Sequence, residues 1–214
     1  MSTRLGGPRV VGVLLAAGRS TRMRHHTGQL KQLSSLGGTP LCRHAALALA
    51  EAGFASLLAV VPAGEPGEQI QEALAGLGFG FVVNPDPTRG LASSFRVAAQ
   101  ALEPRIDAAQ FALADMPFVT AQTHRAVLEI FGQSRAPVVL TRYGEQPSMQ
   151  AGVHAPPNLF RADLLPELAA LPDQDQGPRE LVRRFAGQLL AVQRPALELT
   201  DIDTPQQLAA AQAL

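Results

Sequence analysis

A parallel, doubly wound α/β sheet with helices on both faces is the fold class this sequence predicts, and three observations predict it. Short apolar runs suited to buried strands recur along the chain, stretches with helical spacing separate them, and glycine or proline punctuates the junctions. At 214 residues there is material for one substantial core, so a single domain over 1–214 is expected.

In order, Val10-Val11-Gly12-Val13-Leu14-Leu15 reads as a buried strand entering the small-residue turn Ala16-Ala17-Gly18. Gly37 to Pro40 reads as a turn with proline near the first helical turn, and Leu41 to Ala52 as a helix ending at Gly53. Ser56 to Val61 is a strand stopped by Pro62, Glu68 to Leu77 a helix closed by Gly78, and Phe79 to Val83 a strand. The prolines of Asn84 to Gly90 demand a loop. Ala92 to Leu102 reads as helix, Gln110 to Ala114 as strand, Thr120 to Phe131 as helix with Thr120 as N-cap, and Pro137 to Leu140 as strand. Beyond Tyr143 the expectation is a strand at Gln150 to His154, a helix at Leu159 to Leu171, a polar loop at Pro172 to Pro178 and a short helix at Arg179 to Phe185. Strands at Gln188 to Val192 and Ala196 to Thr200 then precede a closing helix, Thr204 to Ala213, capped by Thr204 with Pro205 in its first turn.

Composition narrows the function. Net charge is zero, which argues against a general nucleic-acid binder, and no apolar run approaches the ~18–20 residues of a membrane span. The N-terminus lacks a signal-peptide pattern, and Cys42, the single cysteine, excludes an intramolecular disulfide; a cytoplasmic location is expected. Cys42 is expected on the buried side of its helix. The charge is nonetheless unevenly spread. The first acidic residue is Glu51, and before it stand Arg4, Arg9, Arg19, Arg22, Arg24, Lys31 and Arg43. Lys31 is the only lysine, in a chain that otherwise uses arginine, so it marks a site needing a compact ammonium. A strand feeding a glycine turn flanked by Arg and hydroxyl side chains suits a phosphate, because backbone N–H groups approach an anion closely only past small side chains.

In an open α/β sheet ligands bind beyond the carboxyl ends of the strands, where the loops after Leu15, Val83, Ala114 and Thr200 converge. Two of these carry candidate metal ligands. Asp115, in Leu113-Ala114-Asp115-Met116-Pro117, is placed to hold a hard cation beside phosphates. Asp201 and Asp203, in Asp201-Ile202-Asp203-Thr204-Pro205, stand before a helix, where capping and dipole interaction explain them equally well. His25-His26 has no partner at metal-ligand spacing and Tyr143 stands alone, so neither receives a role.

The opening stretch is neither a Walker loop nor the dinucleotide fingerprint. Leu15-Ala16-Ala17-Gly18-Arg19-Ser20-Thr21-Arg22-Met23 with a downstream Lys31 instead resembles the signature of the MobA-like nucleoside-triphosphate transferases, and most resembles the molybdenum cofactor cytidylyltransferases among them. Asp115-Met116-Pro117 looks like the metal motif of that family and Asp201 to Pro205 like its closing segment. Gly90-Leu91-Ala92-Ser93-Ser94 resembles its Gly-x-x-x-Ser segment. Asp175-Gln176-Gly177-Pro178-Arg179 resembles the Asp-x-Gly-Ala-Arg loop of molybdopterin nucleotidyltransferases, with Pro178 for Ala.

The resemblance implies a Rossmann-like three-layer α/β/α sandwich with a mostly parallel sheet, the nucleotide-diphospho-sugar transferase fold. Its nucleotide-binding part would cover about 9–120 and its acceptor part about 121–200. It implies nucleotide binding by Leu15, Ala16, Ala17, Gly18, Arg19, Ser20, Arg22, Lys31, Asn84, Ser94 and Asp115. Arg19, Arg22, Lys31 and Asp115 would be catalytic, Gly177 and Arg179 would face the acceptor, and Asp115 and Asp201 would hold Mg²⁺, leaving Asp203 to support its turn. Ala16-Ala17-Gly18 leans toward CTP. The implied acceptor is molybdopterin or molybdenum cofactor, with a sugar phosphate or another small phosphorylated metabolite as the alternative, and a molybdoenzyme or its maturation factor as a partner. A non-catalytic chaperone for the mature cofactor is the reading from another class. This chain departs from the pattern at Arg24 to Leu30, an insertion of roughly four residues before Lys31, and at Gly144 to Met149, where the family carries Gly-His-Pro.

Overall fold

The computed structural model describes residues 7–20, 23, 30–144, 153–173 and 177–213. Its centre is a seven-stranded sheet in the order β5-β4-β1-β6-β8-β7-β9. The strands are β1 (Val10–Leu15), β4 (Ser56–Pro62), β5 (Phe79–Asn84), β6 (Ala108–Leu113), β7 (Val138–Tyr143), β8 (Val153–Arg161) and β9 (Leu190–Arg194). The remaining two, β2 (Ser35–Leu36) and β3 (Thr39–Pro40), form a separate antiparallel ribbon. Its turn is Gly37-Gly38, both at positive φ, +58° and +84°, where a side chain would be strained. Helices are α1 (Leu41–Ala50), α2 (Glu65–Ala73), α3 (Leu91–Ala101), α4 (Ala121–Ser134), α5 (Leu165–Ala169), α6 (Arg179–Arg184) and α7 (Pro205–Ala211).

Strand β1 shows why the sheet is covered on both faces. All six of its residues are buried. Val11, Val13 and Leu15 pack with Phe95, Phe111 and Phe160, whereas Leu14 and Ala16 pack with Cys42, Ala46 and Leu49. Successive side chains point to opposite faces, so an unbroken apolar run needs a helical layer on each side. Phe111 anchors the first layer, its ring 4.7 Å from that of Phe95 and 5.9 Å from that of Phe160. Cys42 is fully buried, and burial pushes its thiol up to about 12, which leaves it no thiolate at neutral pH.

Only β8 runs against the rest of the sheet, pairing antiparallel with both β6 and β7. It also corrects the reading of Leu159 to Leu171 as one helix. The strand continues to Arg161, a 3-10 turn spans Ala162–Leu164, and α5 begins only at Leu165. Leu159 and Phe160 are buried in different core clusters on the two faces of the sheet, as strand neighbours must be. The leucines from 159 to 171 fit helical spacing as well, and pairing with two strands decides against it. Ala196 to Thr200 is likewise not a strand but a 3-10 turn, Ala196–Leu199. Helix α2 starts a turn earlier than expected and ends at Ala73. Of the strand expected at Gln150 to His154, residues 150–152 lie outside the described residues.

The Thr120 and Thr204 caps are as expected, their hydroxyls accepting from Thr123 N and Gln207 N. No helix among the described residues is long and apolar enough to cross a membrane. The sheet order reverses direction between β1 and β6, whose last residues, Leu15 and Leu113, are paired. That switch point is where a doubly wound sheet opens a crevice for ligand.

Candidate active site

A cavity of about 550 Å³ lies at this switch point. Its lining includes Leu15, Ala17, Gly18, Arg19 and Ser20 after β1, Leu113 to Asp115 after β6, Gly90, Leu91 and Ser94 at the start of α3, and Asp201 and Asp203 before α7. Lys31, Gln32 and Pro87 also line it. Five segments distant in sequence therefore converge on one crevice. Backbone bonds hold them together: Ala114 N donates to Leu15 O at 3.2 Å, and Ile202 N to Asp115 O at 3.0 Å.

The first loop is built around Ser20, whose φ of +53° is uncommon for a residue with a side chain and costs about 1–3 kcal/mol. Its hydroxyl explains why glycine does not stand there. Ser20 Oγ donates to Gln32 Oε1 at 2.6 Å and accepts from Lys31 N at 3.1 Å. Gln32 Nε2 in turn donates to Gly18 O at 2.9 Å, and a Cβ at Gly18 would stand only 3.2 Å from that nitrogen. The glycine turn, the serine and the 3-10 turn Lys31–Leu33 are thus one hydrogen-bonded unit that aims the lysine.

Lys31 is 8% exposed. Its ammonium donates to Asp115 Oδ2 and to Asp203 Oδ1, bridging the loop after β6 to the segment before α7. Burial alone would lower its pKa, but the carboxylates of Asp115 and Asp203 outweigh burial and hold it above the ordinary lysine value. Asp201 is raised above the usual carboxylate range by burial first and then by the charges of Asp203 and Asp115. In the unbound site, then, ionised Asp201 is in unfavourable company.

Asp115 Oδ1 is buried and has no hydrogen-bond partner among the described residues, which leaves one hard oxygen donor available. With Asp201 lining the same cavity, the donor set fits a small hard cation that takes one or two carboxylates and fills its other positions with phosphate oxygens and water. No closed cluster of three or more metal-ligating side chains occurs among the described residues.

The raised pKa of Asp201 carries a prediction with a definite sign. A carboxylate raised in the folded state favours folding below its unfolded value and loses that contribution as pH rises through the folded value, so at pH 7 ionised Asp201 weakens the fold. Asp201→Asn is expected to melt no lower than the parent at pH 7 while binding Mn²⁺ with nucleotide at least about tenfold more weakly. Calorimetric titration beside a melting curve checks both halves.

The predicted site residues mostly meet. Leu15, Ala17, Gly18, Arg19, Ser20, Lys31, Ser94, Asp115 and Asp201 line the cavity. Ala16 is buried beneath the loop in the opposite core cluster. Asn84 sits one layer back, where its Nδ2 donates to Ser93 Oγ at 2.8 Å and Ser94 Oγ at 3.1 Å, orienting the hydroxyl that does line the cavity. Arg22 lies outside the described residues, as do Thr21, the insertion except Leu30, and Asp175-Gln176. Gly177 packs against the Phe95 ring and Arg179 is exposed; neither lines the cavity. Before that loop, Asp173 accepts from Arg89 Nε and Arg96 NH2, both at 2.7 Å, which ties the start of the segment to the α3 wall.

Two residues go beyond the sequence reading. Gln32 is 2% exposed and joins Ser20 to Gly18; its only sequence signal is its place beside the sole lysine. Asp203 reaches Lys31 with its carboxylate, and the turn is supported by Thr204 and by Gln207 Oε1, which accepts from Asp203 N at 2.9 Å.

Comparison with known proteins gives a family and a fold. A family described as "MobA-like NTP transferase domain" matches residues 12–191. The bifunctional protein GlmU of Sphingopyxis alaskensis is 32% identical over 131 residues, 61% of this chain and 28% of that protein. The chain spans less than a third of the length of the curated relatives it matches. Among solved structures, Rv0371c from Mycobacterium tuberculosis superposes with a TM-score of 0.81 at 26% identity, covering 98% of this chain and 100% of that one. A second structure of Rv0371c, in complex with manganese, gives 0.73 at 24% identity, covering 96% and 98%.

Proposed function

We propose that this chain, which belongs to the MobA-like NTP transferase family, moves a nucleoside monophosphate from an NTP, CTP by preference, to a phosphorylated acceptor and releases pyrophosphate. The observation that carries the reading is Lys31. A buried ammonium held between two carboxylates lines one crevice together with a glycine turn, an arrangement that supports a site for a polyphosphate and its cation.

The acceptor phosphate oxygen attacks the α-phosphorus in line; the new P–O bond forms as the bond from the α-phosphorus to the bridging oxygen breaks, and pyrophosphate departs. The nucleophile is already ionised, so no general base is needed, and catalysis reduces to positioning and charge neutralisation. Gly18, Arg19 and Ser20 surround the triphosphate, with Arg22 expected to join them. The Ser94 hydroxyl and the first turn of α3 face the nucleotide. Lys31 neutralises charge at the α-phosphate. Asp115 and Asp201 would hold a divalent cation, Mg²⁺ by preference, which supplies further neutralisation of the phosphates when bound.

For the acceptor, molybdopterin or molybdenum cofactor is the first reading, drawn from the Gly177-to-Arg179 segment. A sugar phosphate or other small phosphorylated metabolite is the second. The discriminating experiment is calorimetry with CTP, GTP and ATP in the presence of Mg²⁺, followed by pyrophosphate release with molybdopterin and with a panel of sugar phosphates. CTP binding with release on molybdopterin supports the first reading, and release only with a sugar phosphate supports the second. Nucleotide binding without release on any acceptor would point to a cofactor-delivery chaperone instead.

A further inference from the structure

Glu198 is a buried carboxylate for which phosphate chemistry has no use. It is 5% exposed, in the 3-10 turn Ala196–Leu199 that follows β9. Thr123 Oγ1 donates to its Oε2, Arg194 NH2 donates to its Oε1 at 3.1 Å, and Thr120 Oγ1 lies 3.4 Å from the same oxygen. One side chain thus fastens together the end of β9, the turn after it and the first turn of α4.

Those anchors are close in sequence to the cation-binding carboxylates. Asp115 lies five residues before Thr120, and Asp201 and Asp203 lie three and five residues beyond Glu198. The two carboxylate-bearing segments also meet through the Ile202 N to Asp115 O bond, the Lys31 bridge and apolar contacts of Leu199 with Met116 and Val119 and of Ile202 with Phe118. A buried ion pair is a poor stabilising device, since apolar residues of similar volume often serve the fold as well or better. What such a pair does fix is geometry.

We propose that Glu198 is a positioning residue that sets the separation of Asp115 from Asp201 and Asp203, and so the affinity of the site for a divalent cation carried on a nucleotide. The proposal rests on the transferase reading. Glu198 touches neither phosphate nor cation, and acts by holding the 3-10 turn against the first turn of α4.

The test is Mn²⁺ uptake by the full chain with CTP, followed by loss of the free-ion paramagnetic signal and set beside thermal stability. Glu198→Ala is expected to weaken Mn²⁺ binding about tenfold or more, and Glu198→Gln, which keeps volume and an accepting oxygen, by less than about threefold. Thr123→Val, which removes one tether to the first turn of α4, is expected to fall between them. Phe131→Leu, in the core at the far end of α4, serves as the control: it should lower the melting temperature and leave Mn²⁺ affinity alone. Parental Mn²⁺ affinity in Glu198→Ala, or an equal loss in Phe131→Leu, overturns the proposal. If Glu198→Ala does not fold, parental affinity in Thr123→Val overturns it as well. Failure of the unmodified protein to take up Mn²⁺ with any nucleotide overturns the transferase reading itself, a result distinct from all of these.

Discussion

Lys31→Met is expected to slow nucleotidyl transfer by about two to three orders of magnitude, the usual cost of removing one preorganised charge-stabilising contact in a phosphoryl or acyl transition state. Methionine keeps the length and most of the apolar stem, so the loss reports the ammonium. Single-turnover pyrophosphate release at saturating nucleotide should fall while nucleotide affinity changes far less, because the charge matters most where negative charge grows at the α-phosphorus. A variant within threefold of the parent would remove Lys31 from the mechanism. The substitution also leaves Asp115 and Asp203 facing each other without a counter-charge. Their side chains retain 20% and 13% exposure, so solvent softens the penalty of an orphaned buried pair.

Being the only lysine makes Lys31 directly observable. Selective ¹³C,¹⁵N-lysine labelling should produce one lysine side-chain resonance, titrating above the ordinary lysine value. The sign for stability follows. A raised ammonium contributes fully below the unfolded value of 10.5 and loses that contribution as pH rises through the folded value. On the alkaline side the Lys31 bridge should therefore hold past the ordinary lysine value before it fails.

Much of this arrangement is legible in the sequence because its signals are local. An apolar run entering Ala16-Ala17-Gly18 needs no tertiary context to be read as a buried strand and an anion-suited turn, and an isolated lysine among arginines stands out by composition alone. The parts that are not legible depend on pairing. Leu159 to Leu171 has helical spacing on paper, and only its position between β6 and β7 makes the first three residues strand. Asp203 looks like a helix-cap accessory from its place before Pro205, and its side-chain partner lies 172 residues earlier. Gln32 carries no pattern at all, since its role is to join a hydroxyl 12 residues back to a carbonyl 14 residues back. Glu198 falls in the same class, as a polar residue in an expected strand whose partners, apart from Arg194, are remote in sequence.

The second large effect concerns acid, and it arises from His124 rather than from the site. This residue is on α4, 1% exposed, with Nδ1 3.3 Å from Gln110 Nε2 and its ring edge-on to Phe54. Burial pushes it down to about 3, so the folded protein keeps it neutral where an unfolded chain protonates it at about 6.5. A lowered histidine contributes stability above the unfolded value and loses it as pH falls toward the folded one, at about 1.4 kcal/mol per pH unit. Between pH 7 and pH 4 that amounts to about 3 kcal/mol, a large share of the stability of an ordinary domain. Asp163, held low by Arg161, and Asp173, held low by Arg96 and Arg89, withdraw their contributions only below the ordinary carboxylate value, and the raised Asp201, whose effect in this window has the opposite sign, is common to the parent and a His124 variant, so their difference isolates the histidine. His154, lowered by partial burial and by Arg142, adds a smaller effect of the same sign. His124→Asn keeps an acceptor for Gln110 and cannot titrate in this range. Urea unfolding at pH 7, 5.5 and 4 should show the parent losing stability stepwise and the variant, less stable at pH 7 through lost packing, losing about 3 kcal/mol less over the same interval. Parallel curves for the two proteins would mean that His124 gains its proton without unfolding, and that the helix layer over Gly12 and Gln110 opens locally in acid.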